Sequence, residues 1–194
     1  MCAQSDWTGE PLILASASPR RREILTLLGL PCEVEPAPGE AAPAPDWTPE
    51  QAVLRIARDK AEQVARLRPD RVVVGADTVV VLDGGILGKP ADERDAMHML
   101  TLLQGREHMV MTGVWVCAPG RADGFVEQAD VSFYPMTRRE IEEYVHTGEP
   151  MDKAGAYGIQ GAGMRYVCGI RGDFYTVMGL PGARLWRFLR NFGK

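Results

Sequence analysis

The turn Ser16-Ala17-Ser18-Pro19-Arg20-Arg21-Arg22 directly follows the apolar run Leu12-Ile13-Leu14-Ala15. Ser18 reads as a helix N-cap, and Pro19, with its fixed φ, as the first helical residue. Arg20, Arg21 and Arg22 then stand where the helix dipole already places about half a positive charge, which is unfavourable by roughly a few tenths of a kcal/mol per exposed charge. An anion reverses that sign, because phosphate accepts helix-start N–H groups and is gripped by guanidinium forks. A solvated arginine cluster is the plain alternative; the hydroxyls of Ser16 and Ser18 weigh against it.

Asp77 breaks a second local rule. It interrupts Val72-Val73-Val74-Gly75-Ala76 and Val79-Val80-Val81-Leu82, which otherwise read as one central strand. Burying a carboxylate without partners costs roughly several kcal/mol, so Asp77 is expected to face a cleft, a metal or a cation. Gly75 would let a ligand or another backbone come close. A structural carboxylate capping a nearby loop is the alternative.

Lys89, held between Gly88 and Pro90, is placed to meet phosphate as a point charge or to be solvated in its turn. No Gly-x-x-x-x-Gly-Lys-Ser/Thr occurs, which excludes a Walker-type site. The stretch from Glu149 to Gly161 suits neither helix nor strand and reads as a ligand-lining loop. Within it Lys153 could meet phosphate, and Gln160 could read a base edge by a paired donor and acceptor.

Strands and helices alternate around these residues. The helix opened at Ser18 stops at Gly29, and residues 31–47, rich in Pro and Ala, read as a long loop. The capping box Thr48-Pro49-Glu50-Gln51 opens a helix through about Leu67, with Val53, Leu54, Ile56, Ala57 and Ala61 on its apolar face. The valine-rich strand ends in the turn Asp83-Gly84-Gly85, and Asp92 caps a helix running to about Leu103. Residues 109–117 and 125–134 read as an antiparallel pair. Thr137-Arg138-Arg139-Glu140 opens a helix to His146. Strands are expected near 166–170 and 174–178, then a last helix from Pro181 to about Phe192. Hairpins mixed with strand–helix alternation predict an α/β fold with a mixed, twisted sheet and flanking helices.

The chain of 194 residues suits one domain spanning 1–194, with residues 1–10 read as a disordered tail. Net charge −4 and a pI near 5.5 argue against nucleic acid as the partner. Cys2, Cys32, Cys117 and Cys168 form no CxxC pair and have no zinc-like spacing to His98, His108 or His146, so reduced thiols are expected. No apolar run approaches the ~18–20 residues of a membrane span, and a cytoplasmic location is expected. Trp7, Trp47 and Trp186 are candidates for a homodimer contact or for local packing.

Taken in order, the segments resemble the Maf family of nucleotide pyrophosphatases from Leu12 to about Phe188. The resemblance rests on Leu14-Ala15-Ser16-Ala17-Ser18-Pro19-Arg20-Arg21, Arg58-Asp59-Lys60-Ala61, Gly75-Ala76-Asp77-Thr78, Gly88-Lys89-Pro90, the Lys153–Gly161 run and Val177-Met178-Gly179-Leu180-Pro181. It implies a fold like that of inosine triphosphate pyrophosphatases, with a central cleft. It also implies metal-dependent cleavage between the α- and β-phosphates of a small-molecule nucleotide. The family's proton acceptor falls on Asp77, and positions tied to base choice fall on Arg20, Thr78 and Gln160, a set similar to that of the dTTP and UTP subgroup. Where the family often has a metal-holding acid after the first helix, this chain has Ala41, with Glu40 the nearest acid.

On that reading Asp77 orients or deprotonates water, or shares Mg²⁺ or Mn²⁺, with Glu40 a second metal ligand. Ser16, Arg20, Arg21, Lys60, Lys89 and Lys153 hold the triphosphate, and Thr78 and Gln160 contact the pyrimidine. Arg22 is expected to point into solvent. Two other functions share the same residues: a nucleotide-binding regulator of septum formation with incidental hydrolysis, and removal of modified pyrimidine nucleotides.

Overall fold

The computed structural model describes residues 9–39, 44 and 46–192. Trp7, Glu40 and Ala41 therefore lie outside the described residues. The chain divides into two compact units. The first comprises Met1–Asp77, Thr112–Glu127 and Gly179–Lys194; the second comprises Thr78–Met111 and Gln128–Met178.

In the first unit β1 (Leu12–Leu14) is wholly buried and pairs in parallel with β2 (Cys32–Val34) on one side and β3 (Val73–Leu82) on the other. β2 corrects the expected 31–47 loop. Its residues are half-buried or exposed, and their extended form is imposed by the ladder to β1 rather than by a hydrophobic pattern of their own. The helix α1 (Pro19–Leu27) follows β1, and α2 (Pro49–Leu67) begins at Thr48 with both bonds of the capping box formed.

Helix α2 lies against the sheet without side chains between at two places. A Cβ on Gly75 of β3 would collide with the Ala57 carbonyl oxygen and come within 2.8 Å of Ala61 N. One on Gly113, in β5 (Glu107–Ala118), would lie 2.5 Å from the Val53 carbonyl. The close approach expected at Gly75 is thus made by backbone. The buried stripe of α2 runs Ala52, Val53, Ile56, Ala57, Lys60, Ala61 and Val64, so a lysine occupies an otherwise apolar face.

β6 (Arg121–Phe133) follows β5 after the turn Pro119–Gly120, a connection too short for anything but an antiparallel pair. The full sheet order is β2-β1-β3-β5-β6-β7, with β4 (Gly85–Leu87) antiparallel to β3 and β7 (Val167–Gly172) antiparallel to β6. The turn into β4 places Asp83 and Gly84 at φ +50° and +79°, the twist a two-residue hairpin requires.

The second unit's core gathers Leu100 and Leu103 of α3 (Glu93–Leu103), Ile141 and Val145 of α4 (Arg138–Val145), and Val131, Phe133, Ala156 and Tyr157. Residues 174–178 are a short helix, α5 (Phe174–Met178), and not the expected strand. The Asp173 carboxylate accepts from Thr176 N and Oγ1, both at 2.9 Å, and this cap overrides the strand propensity of Phe-Tyr-Thr-Val. The last helix, α6 (Gly182–Phe192), ends the described chain.

Trp47 and Trp186 are half-buried beneath the guanidinium groups of Arg55 and Arg190, at 4.8 and 4.6 Å, so both have partners within the chain. No helix of the described residues is long and apolar enough to cross a membrane.

Candidate active site

Ligand sites in sheets with parallel strands form beyond the carboxyl ends of those strands. Ser16 follows the carboxyl end of β1, and Asp77 lies three residues past Val74, which pairs with Leu14. Both side chains are about nine-tenths buried. Lys60 donates from Nζ to Asp77 Oδ1 at 2.8 Å, with each side chain 11% exposed. Of the surroundings expected for Asp77, a cleft, a metal or a cation, the described structure supplies a cation.

On the neighbouring turn Arg21 is fixed by two bonds, Nε to the Gly179 carbonyl and an Nη to Ser16 Oγ, each 2.8 Å. Ser16 Oγ also accepts from Ser18 N at 3.3 Å. Ser18 is the N-cap of α1 by its backbone but makes no side-chain cap bond, and the first turn holds no acid. Arg20 is half-buried, while Arg22 is exposed as expected. The first turn of α1 is therefore positively charged, with no acid among its own residues.

Four expected residues belong to the second unit. Thr78 is half-buried and follows Asp77 directly on β3, so their side chains leave opposite faces of the strand. Lys89 and Gln160 are exposed. The Gly88 carbonyl accepts from Gly155 N at 3.0 Å, which ties the Lys89 turn to the loop carrying Lys153. Lys153 Nζ donates to the Glu149 carbonyl at 2.5 Å and to Asp152 Oδ1 at 2.6 Å.

Tyr157 anchors that loop in the core. It packs edge-on with Phe133 and His108 at centroid distances of 4.7 and 5.3 Å. Its hydroxyl donates to His108 Nε2 at 2.8 Å, the direction that leaves fewest groups unmatched, since His108 Nδ1 has no partner among the described residues. Burial pushes the Tyr157 hydroxyl up, so it stays protonated, and lowers His108 from 6.5 to about 4. A neutral His108 is therefore native. As pH falls from about 6.5 towards 4, the unfolded chain binds a proton that the folded chain refuses. His108 should then remove up to about 3 kcal/mol of stability over that window. Urea unfolding at stepped pH checks this: His108→Gln should flatten the slope, and an unchanged slope would contradict it.

A hard divalent cation needs few protein ligands when phosphate oxygens and water complete its shell. Asp77 suits such a role with Oδ2, since Lys60 occupies Oδ1. Among the described residues no three His, Cys, Asp or Glu side chains gather into a cage. Glu40, the other expected ligand, lies outside them.

The α/β fold is shared with a solved structure: the chain matches the Staphylococcus aureus Ham1 protein with a TM-score of 0.50 and 15% identity, covering 95% of this chain and all of that one. The family model for Maf-like protein matches residues 11–192. The chain belongs to that family. A dTTP/UTP pyrophosphatase of Bacillus pumilus is 46% identical over 182 residues, covering 94% of this chain and 96% of the relative. One of Koribacter versatilis is 49% identical over 185 residues, covering 95% and 96%.

Proposed function

We propose that this chain hydrolyses dTTP and UTP between the α- and β-phosphates, releasing the monophosphate and pyrophosphate. The observation that carries the reading is Asp77, a buried carboxylate on β3, three residues past the Val74 that pairs with β1, gripped by Lys60 and in the same unit as the Ser16–Arg21 turn. The names of the relatives, matched over nearly their whole length, support the substrate.

In this reading Asp77 orients the attacking water and takes its proton. Lys60 keeps the carboxylate aimed and adds positive charge against the phosphates, as do Arg20, Arg21, Lys89 and Lys153. Arg21, held rigidly by Gly179 and Ser16, presents its guanidinium at little entropic cost. Thr78 and Gln160 contact the base. Mg²⁺ or Mn²⁺, held by Asp77 and the substrate's own phosphates, would supply charge neutralisation on the non-bridging oxygens.

A nucleotide panel tests the proposal, with and without each metal, scoring pyrophosphate against orthophosphate. dTTP and UTP should release pyrophosphate fastest, and chelation should stop the reaction. Orthophosphate as first product would refute α–β cleavage. Binding of dTTP without pyrophosphate release would mark a regulator instead, and a faster modified pyrimidine would shift the substrate within the same chemistry.

A further inference from the structure

Glu149 stands at the start of the loop that carries Gln160 and organises it. Its carboxylate accepts from Ala162 N at 2.7 Å, Gly163 N at 3.2 Å and the Tyr144 hydroxyl at 2.9 Å. The same hydroxyl accepts from Gly158 N at 3.0 Å. Backbone donors on both sides of Gln160 thus converge, directly or through one phenol, on a single carboxylate.

The glycines of the segment lie close against these groups, so a larger residue would displace the carboxylate or the phenol. A Cβ on Gly161 would collide with the Glu149 carboxylate, and one on Gly163 would lie 2.6 Å from the Tyr144 oxygen. One on Gly158 would lie 3.2 Å from Glu149 Oε1. Partial burial disfavours the charged form of Glu149, but the Ala162, Tyr144 and Gly163 donors and the Lys153 charge outweigh it, so its pKa lies below the usual carboxylate range. Burial likewise pushes the Tyr144 phenol up, keeping it a donor. The carboxylate therefore stays ionised at neutral pH, when its bonds to N–H groups are strongest.

We propose that Glu149 is a positioning residue for base recognition: by clamping residues 158–163 through two loop amides directly and a third by way of Tyr144, it fixes where Gln160 stands and so sets the preference for pyrimidine over purine triphosphates. This rests on the reading of Gln160 as a base contact. Gln160 itself is exposed, so its aim depends on the backbone beneath it. Without the clamp the loop samples several positions, and an amide that must meet two atoms of a base edge at once loses both.

The test compares Glu149→Ala, Glu149→Gln and Gln160→Ala, all shown to be folded by circular dichroism. Glu149→Ala should raise KM for dTTP and reduce the dTTP-to-dGTP ratio of kcat/KM by at least about tenfold. Its kcat at saturating dTTP should stay within about threefold of the parent, a split that general loss of structure would not produce. Glu149→Gln, which keeps an acceptor oxygen, should restore part of the ratio. If Glu149→Ala does not fold, Tyr144→Phe takes its place, because it removes the link to Gly158, and the same loss of ratio is expected. An unchanged ratio in the folded clamp variant, while Gln160→Ala loses it, overturns the positioning role alone. An unchanged ratio in Gln160→Ala overturns the base-contact reading beneath it.

Discussion

Asp77→Asn lowers pyrophosphate release at saturating dTTP by about 10²–10⁴-fold, the range expected when a positioned proton acceptor is lost. Asparagine matches the shape of the carboxylate and keeps an oxygen for Lys60 Nζ, so the lysine is not left without an acceptor. Only charge and basicity are removed. The site then carries one more net positive charge, so affinity for a triphosphate without divalent metal should hold or rise. Calorimetric titration with dTTP beside a pyrophosphate assay separates the two effects. Near-normal turnover would remove Asp77 from the chemistry, and equal loss of turnover and binding would recast it as a substrate-holding group.

Lys60→Met acts on the fold. Both side chains of the pair are almost fully buried, so removing the lysine leaves a carboxylate with little water and without its counter-charge. Such changes cost about 3–5 kcal/mol. Methionine follows the lysine stem closely, so little of that loss would be cavity. In a chain of this size the cost corresponds to a fall in Tm of roughly 10 °C. Adding Asp77→Asn should recover at least about 1 kcal/mol, because the uncompensated charge is then gone. Thermal unfolding of the two single variants and the double variant, without nucleotide, supplies the cycle. Strict additivity would mean that the two groups do not depend on each other.

The elements most legible in the sequence were those with local chemistry of their own. Thr48, Asp92 and Thr137 accept from the amides three residues on, as their spacing predicted. The two valine runs join into one strand through Asp77 because its side chain finds Lys60 and need not break the ladder. One feature that spacing did not disclose is non-local, the other local but masked. β2 carries no hydrophobic signature and is extended only because β1 lies beside it. The helix after Asp173 was hidden under β-branched and aromatic residues, although Asp173 and Thr176 held the capping signal.

The site divides in the same way. Asp77 and the Ser16–Arg22 turn stood out as violations of local rules. That Asp77's partner is Lys60, seventeen positions away on a helix, could not be read from spacing. A lysine inside the apolar stripe of α2 was the available hint. Glu149 gave no such hint, since two of its partners are backbone amides, which every sequence has, and the third is a phenol on the preceding helix.

The seating of α2 has a mechanical consequence. A helix resting on side chains has a compliant layer beneath it, and small volume changes are absorbed as it settles. At Gly75 and Gly113 that layer is absent: the helix touches the sheet near Ala57 and Ala61, and again near Val53. Two such bearings fix both its height and its roll. The backbone that carries Lys60 is thereby registered against the strand that carries Asp77 by hard contact, and only the lysine stem is left to adjust.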